Sequence, residues 1–205
     1  MDVVSARYLA NMRKVALFGL GGHGKDIASD LDDGRTIITG WDDSDPDTAA
    51  QLDHLDLSVF AHCIVGINDP ATRRRVAERL GWVFGQWVHR RAVVGPDVMY
   101  GAHTHINAGA FLTRCTLGDF VTVGPNATIC GDVTIGDGCL IGAGAVVKNL
   151  VTIGDGVTVG AGAVVVADVP DGQTVVGNPA KPIPRFNLTG PIDPEWIIKH
   201  GGSLT

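Results

Sequence analysis

"VTIGDGCLIGAGAVVKNLVTIGDGVTVGAGAVVV" (residues 133–166) carries an aliphatic residue at every sixth position: Ile135, Ile141, Val147, Ile153, Val159 and Val165. Four residues after each of the first five stands a small or β-branched one: Cys139, Ala145, Val151, Val157 and Ala163. A helix needs apolar spacing near 3.6 and a plain strand spacing near 2, so a period of six fits neither. Traced backwards, the rhythm runs through Ile129, Val123, Leu117, Leu112, Ile106, Tyr100 and Val94, and every step is six except Leu112 to Leu117, which is five. Glycine directly after the aliphatic, at Gly118, Gly124, Gly136, Gly142, Gly154 and Gly160, marks a recurrent turn where backbone passes tightly. A fixed period of this kind is the signature of a repeat architecture.

These hexads resemble the repeat of left-handed parallel β-helices, and "VVGNPAKPI" (residues 175–183) resembles the exit of hexapeptide acyltransferases. The resemblance implies three hexads per triangular coil, hence about four coils from the thirteen aliphatic positions. The aliphatic and small positions would face the prism interior. It also implies a left-handed crossover, against the general rule for parallel strands, and homotrimers that cover the faces of the prism.

The chain before the repeat has a different grammar. "KVALFGL" (residues 14–20) and "RTIITGW" (residues 35–41) read as strands, with helical spacing of Ile27 and Leu31 between them. "LSVFAHCIVGI" (residues 57–67) reads as a third strand, followed by a helix with Asp69 as N-cap and Pro70 at its first position. This order predicts a Rossmann-like β-α-β domain with a parallel sheet. "GLGGHG" (residues 19–24) fits G-x-G-x-x-G between a strand and a helix, and Asp42 and Asp43 follow at the spacing of a dinucleotide fingerprint. Fewer than 90 residues precede the repeat, which leaves no room for a second mononucleotide half or a hydride-transfer domain.

Composition narrows the function classes. A net charge of −6 gives no basic stripe for a nucleic acid, and "RRR" (residues 73–75) lies in a helical pattern where a solvated face is expected. Cys63, Cys115, Cys130 and Cys139 lack CxxC spacing and read as small core residues of a reduced, cytoplasmic protein. No apolar run reaches the ~18 residues of a membrane span, and the first residues lack a signal-peptide core. A soluble protein with no membrane partner is expected.

"GLGGHGK", "WDD" (residues 41–43), "VGINDPATRRR" (residues 65–75), "VHRRA" (residues 88–92) and the hexads are together similar to the NeuD/PglD-type nucleotide-sugar acetyltransferases. The resemblance spans residues 14–183 and implies three parts: a nucleotide-sugar-binding domain over residues 1–88, the β-helix over 89–183 and a tail over 184–205. It implies acetyl-CoA as cosubstrate and, as acceptor, a UDP- or GDP-linked amino sugar for a surface glycan. Gly22, His23 and Gly24 would wrap the diphosphate, Asp42 and Asp43 would meet the base or ribose, and Asn68 with Arg73 would complete the pocket. CoA would lie between adjacent prisms against Gly142, Ala143, Gly160 and Ala161, with Asn178, Pro179 and Lys181 near its nucleotide end. The N–H of Gly131 would face the thioester carbonyl. "HRRA" (residues 89–92) departs from the usual His-Pro-Ser-Ala.

The departure that bears on mechanism is the five-residue step. Relatives carry a histidine, the general base, and an acidic neighbour before the cysteine. Here "LTRC" (residues 112–115) places Arg114 in that slot or deletes it, and a second histidine common after the next "GDF" is Thr122. Arginine stays protonated and cannot be a base. His103 and His105, in "AHTH" (residues 102–105), are expected on the outside or at a corner of an early coil, facing solvent. One of them could replace the base across a trimer interface. Without a third ligand at a sensible spacing, no metal is expected. An amine nucleophile can also lose its proton to water, so the missing histidine favours N-acylation. The alternatives are a nucleotide-sugar-binding trimer without catalysis and an O-acetyltransferase acting on a sialic-acid-type sugar.

Overall fold

The computed structural model describes residues 13–19, 22–32, 36–41, 62–79 and 85–183. β1 (Arg13–Phe18) is the centre of a three-stranded parallel sheet, flanked by β2 (Thr36–Trp41) and β3 (His62–Val65) in the order β2-β1-β3. Val15, Ala16, Leu17 and Phe18 are all buried, the unbroken apolar run of a strand covered on both faces. α1 (Gly22–Leu31) follows β1 and buries Ile27. α2 (Pro70–Arg79) follows β3, and its first turn is capped as expected: the Thr72 N–H donates to Asp69 Oδ2 at 2.7 Å.

From Trp87 onwards the chain winds into a left-handed parallel β-helix of about five turns, with two- or three-residue strands stacked into three sheets. The expected count was about four. The extra length comes from both ends, where Trp87–Val88 pairs with His105–Ile106 and Thr174–Val176 with Thr158–Val159. The first prism strand is Trp87–Val88.

The hexad rule holds inside the prism. In each strand pair the second residue points inward, so Ile106, Leu112, Val123, Ile129, Ile135, Ile141, Val147, Ile153, Val159 and Val165 form one continuous core with Ala110, Ala127, Cys139, Ala145 and Ala163. Each such aliphatic contributes about 1.5–3 kcal/mol by leaving water. The glycine after each aliphatic passes so close to the next coil that a Cβ on Gly142 would stand 2.5 Å from the Ala161 nitrogen. Corners are tied from coil to coil by aspartates of the "GD" pairs. Asp119 accepts from the Ala102 N–H at 2.7 Å, Asp137 from the Asp119 N–H at 2.8 Å, and Asp155 from the Asp137 N–H at 2.8 Å.

The five-residue step is absorbed at one corner. Strand pairs stay in register across it, with Phe111↔Val93 on one side and Thr116↔Met99 on the other. The left-handed corner position, filled elsewhere by residues such as Gly109, Phe120 and Asn126, is taken here by Arg114 at φ 42°. The missing residue is thus removed from the turn and not from a strand.

Asp30 and Arg73 are among the residues that hold the α/β domain on the prism. Asp30 of α1 accepts from the Trp87 indole N–H at 3.2 Å and pairs with Arg90 at 3.3 Å. Arg73 of α2 reaches into the prism itself.

Candidate active site

Arg73 is fully buried. Its Nη1 donates to Thr122 Oγ1 at 2.9 Å and to the Ile67 carbonyl at 2.8 Å, and its Nη2 donates to the Phe120 carbonyl at 2.8 Å. The Thr122 hydroxyl in turn donates to the Asn68 carbonyl at 3.0 Å. Burial lowers the Arg73 pKa to about 10, partly offset by Asp69, so the guanidinium stays charged at neutral pH. A buried cation among carbonyl dipoles is tolerable only when its protons are satisfied. The expectation that Arg73 completes a nucleotide pocket is corrected: its Nη protons go to prism and loop oxygens, and the side chain is fully buried.

The second strand after the short corner, Thr122–Val123, places Thr122 in register with His105 on the previous coil. His105 is the first residue of its strand pair and so points out of the prism, as expected, but not into solvent. The α/β domain sits over that face and leaves His105 wholly buried, with His103 nearly so. His103 stacks flat on Phe120, with ring centroids 4.5 Å apart, and the Arg74 guanidinium lies 4.6 Å from the same ring. The solvent-facing reading of both histidines is therefore overturned, because domain docking, which the repeat pattern does not encode, covers them.

His23 meets His105 across this junction, Nε2 to Nδ1, at 3.0 Å. Trp87 packs edge-on against both rings, at 5.5 and 6.0 Å between centroids. Burial first, and the Arg73 charge second, push the His23 pKa down to about 4 against the opposing pull of Asp26. His105 is driven well below its ordinary value by burial, then by Arg73, His23 and His103. Both rings are neutral at pH 7. Among the described residues, the buried side-chain nitrogens and oxygens without a partner are Arg73 Nε and His105 Nε2, both in this cluster.

The glycine loop divides its labour. Gly22 is exposed at the start of α1, whereas Gly24 is buried, so close to the Gly19 carbonyl and to Gly66 that a side chain has no room. That is the helix-to-strand packing role of a third fingerprint glycine. Asn68 is exposed beside the loop, its carbonyl engaged by Thr122. Asp42 and Asp43 lie outside the described residues.

At the acyl end, Gly131 is buried beneath Arg114, whose Nη2 lies 2.5 Å from where a Gly131 Cβ would be. Arg114 pairs with Asp132 at 3.1 Å, and that hydrogen bond leads the effects raising its pKa, so a guanidinium paired to a carboxylate stands over Gly131. Gly142, Ala143, Gly160 and Ala161 line one edge on adjacent coils, with the Gly162 N–H donating to the Ala143 carbonyl at 2.8 Å. Asn178, Pro179 and Lys181 are exposed where the last coil folds back. Cys115 and Cys139 are buried with thiols pushed up to about 11, which rules them out as thiolate nucleophiles at neutral pH.

The bacterial transferase hexapeptide model (six repeats) matches residues 114–149, and the hexapeptide repeat of succinyl-transferase matches residues 132–167. The chain is similar to the acetyltransferase domain of PglB from Neisseria gonorrhoeae FA1090 in complex with acetyl coenzyme A. That match has 33% identity and a TM-score of 0.70, over 84% of this chain and 100% of that one. It is similar to PerB from Caulobacter crescentus in complex with CoA and GDP-perosamine, at 26% identity and a TM-score of 0.71, over 83% and 97% of the two chains. WeeI from Acinetobacter baumannii AYE shares the fold at 24% identity and a TM-score of 0.65, over 84% and 100%. No curated protein matches significantly.

Proposed function

Because this chain belongs to the hexapeptide-repeat sugar acetyltransferases, we propose that it moves the acetyl group of acetyl-CoA to the amino group of a nucleotide-linked amino sugar. The observation that carries the reading is the likeness to the acetyl-CoA-bound PglB domain, which extends over the α/β domain as well as the prism. The acceptor class follows from the likeness to PerB, whose complex contains GDP-perosamine.

The residues present suit both substrates. A diphosphate fits at the N-terminus of α1, against Gly22 and beside Asn68, where backbone N–H groups and the helix dipole favour negative charge. The thioester arm fits the small-residue edge of Gly142, Ala143, Gly160 and Ala161, with Asn178, Pro179 and Lys181 towards its nucleotide. That edge becomes a groove when a second prism lies beside it, so the active form is a homotrimer. The Gly131 N–H donates to the thioester oxygen as the carbonyl becomes tetrahedral, and the neighbouring Arg114 charge strengthens that site. Such an enzyme works in the cytoplasm, where acetyl-CoA and sugar nucleotides are made, and supplies an N-acetylated sugar for a surface glycan.

Thiol release from acetyl-CoA, followed with a chromogenic disulfide over a panel of UDP- and GDP-linked amino sugars, tests this. Release dependent on one of them is expected. No release above background from any, with nucleotide-free amino sugars equally inert, overturns the reading.

A further inference from the structure

Acyl transfer to an amine needs somewhere for the amine's proton to go, and Arg114 cannot take it. We infer that His23 is the proton acceptor, held in its working tautomer by His105 from the opposite side of the domain junction. The inference rests on the acceptor assignment above.

The geometry carries it. His23 is the second residue of α1, directly after Gly22, at the helix start to which the proposed function assigns the diphosphate. Its Nε2 is engaged by His105 Nδ1 at 3.0 Å, which leaves Nδ1 as the nitrogen turned to other partners. When the Nε2–H of His23 donates to His105, the lone pair of His23 lies on Nδ1 and can receive a proton. His105 then carries its own hydrogen on Nε2, the buried atom that has no partner among the described residues. His105 cannot reach a substrate, because it is fully buried, so its part is positioning. Trp87, edge-on to both rings, fixes their planes.

The step balances without further reagents. The amine nitrogen forms its bond to the thioester carbonyl carbon, the carbon–sulfur bond breaks with its electron pair on sulfur, and the ammonium proton passes to His23 Nδ1. From there it goes to the departing thiolate or to water. Burial sets the protonation of the dyad first, then Arg73, with Asp26 opposing at His23 and His103 adding at His105. With both rings neutral at pH 7, the acceptor is ready throughout the neutral range. Added phosphate charge raises its basicity towards that of the amine it serves.

His23→Gln keeps an amide N–H for His105 and removes the basic nitrogen. Its kcat is expected to fall about 100-fold with KM moving less than about threefold, the usual size of a lost general base. His105→Leu is expected to lower kcat about 10-fold and to shift the acid limb of the pH profile, whereas His105→Asn, which keeps an acceptor near the Nδ1 position, restores most of the loss. In wild-type protein, nitrogen NMR of labelled histidine is expected to show His23 with its hydrogen on Nε2 and a bare Nδ1. A His23→Gln enzyme within about twofold of wild type, a change confined to KM, or the opposite tautomer each overturns the dyad and leaves the sugar reading standing. A wild-type enzyme that releases no CoA with any amino sugar overturns both.

Discussion

The Arg73 guanidinium crosses from α2 to the prism and donates 2.9 Å to Thr122 Oγ1, on the strand that also stands in register with His105. One buried cation thus ties the two domains together at the place where the two histidines meet, and several consequences can be measured.

Arg73→Ala leaves the Phe120 and Ile67 carbonyls and the Thr122 hydroxyl without their donor inside the protein. The expected cost is about 3 kcal/mol or more, since each stranded polar group costs about 1–3 kcal/mol. Urea unfolding measures it. Hydrogen exchange should show faster opening of α1 and α2 while the interior of the prism is unaffected. Arg73→Lys recovers part of the loss, because a single ammonium cannot span the oxygens that Nη1 and Nη2 of the guanidinium fork serve separately.

Burying His23 and His105 as neutral rings makes stability depend on pH in one direction. Above pH 6.5 both folded and unfolded histidines are uncharged and these groups contribute no slope. Between 6.5 and about 4 the unfolded chain takes up protons that folded His23 refuses, so stability falls with acidification. The slope approaches about 1.4 kcal/mol per pH unit for each such histidine. Urea midpoints from pH 7.5 to 5 should fall accordingly, and less steeply in His105→Leu.

Arg114 and Asp132 are exposed at 60% and 53%, so their pairing is worth little to the fold. Arg114→Ala should unfold at the same urea concentration as wild type. Its kcat should drop about 10-fold with little change in KM, because the charge acts on the developing oxyanion at Gly131, more weakly than a direct donor does. An unchanged kcat would separate Arg114 from the chemistry.

Two glycines of one coil should respond differently to alanine. At Gly142 a Cβ meets the backbone of Ala161 and Gly160, which cannot yield, and the expected loss is about 2–3 kcal/mol. At Gly144 the new methyl meets nothing within 4 Å, and the cost of about 1 kcal/mol comes from its φ of +66° alone. Thermal unfolding of the two variants checks the order.

The prism was legible in the sequence because its period is local: each hexad states which residue faces inward, and Ile135 or Val147 is where the rule puts it. The α/β domain was legible from Asp69, Pro70 and the fingerprint glycines. What could not be read was how one domain lies on the other. His23 and His105 are separated by 82 residues, and no periodicity links them. Arg73 reads as part of a charged helical face for the same reason, since its partners are mostly backbone carbonyls, which a sequence does not display. The surplus coil at Trp87 keeps the same period, since Val88 stands six residues before Val94.

The shortened corner at Arg114 shows where such a scaffold can change without refolding. At this corner, losing one residue leaves the register of the neighbouring strands untouched. The shortening has therefore replaced the side chain presented at that edge without moving a strand. A solenoid of this kind can exchange its reactive group in a single event, and a designer could do the same by varying corner length one coil at a time.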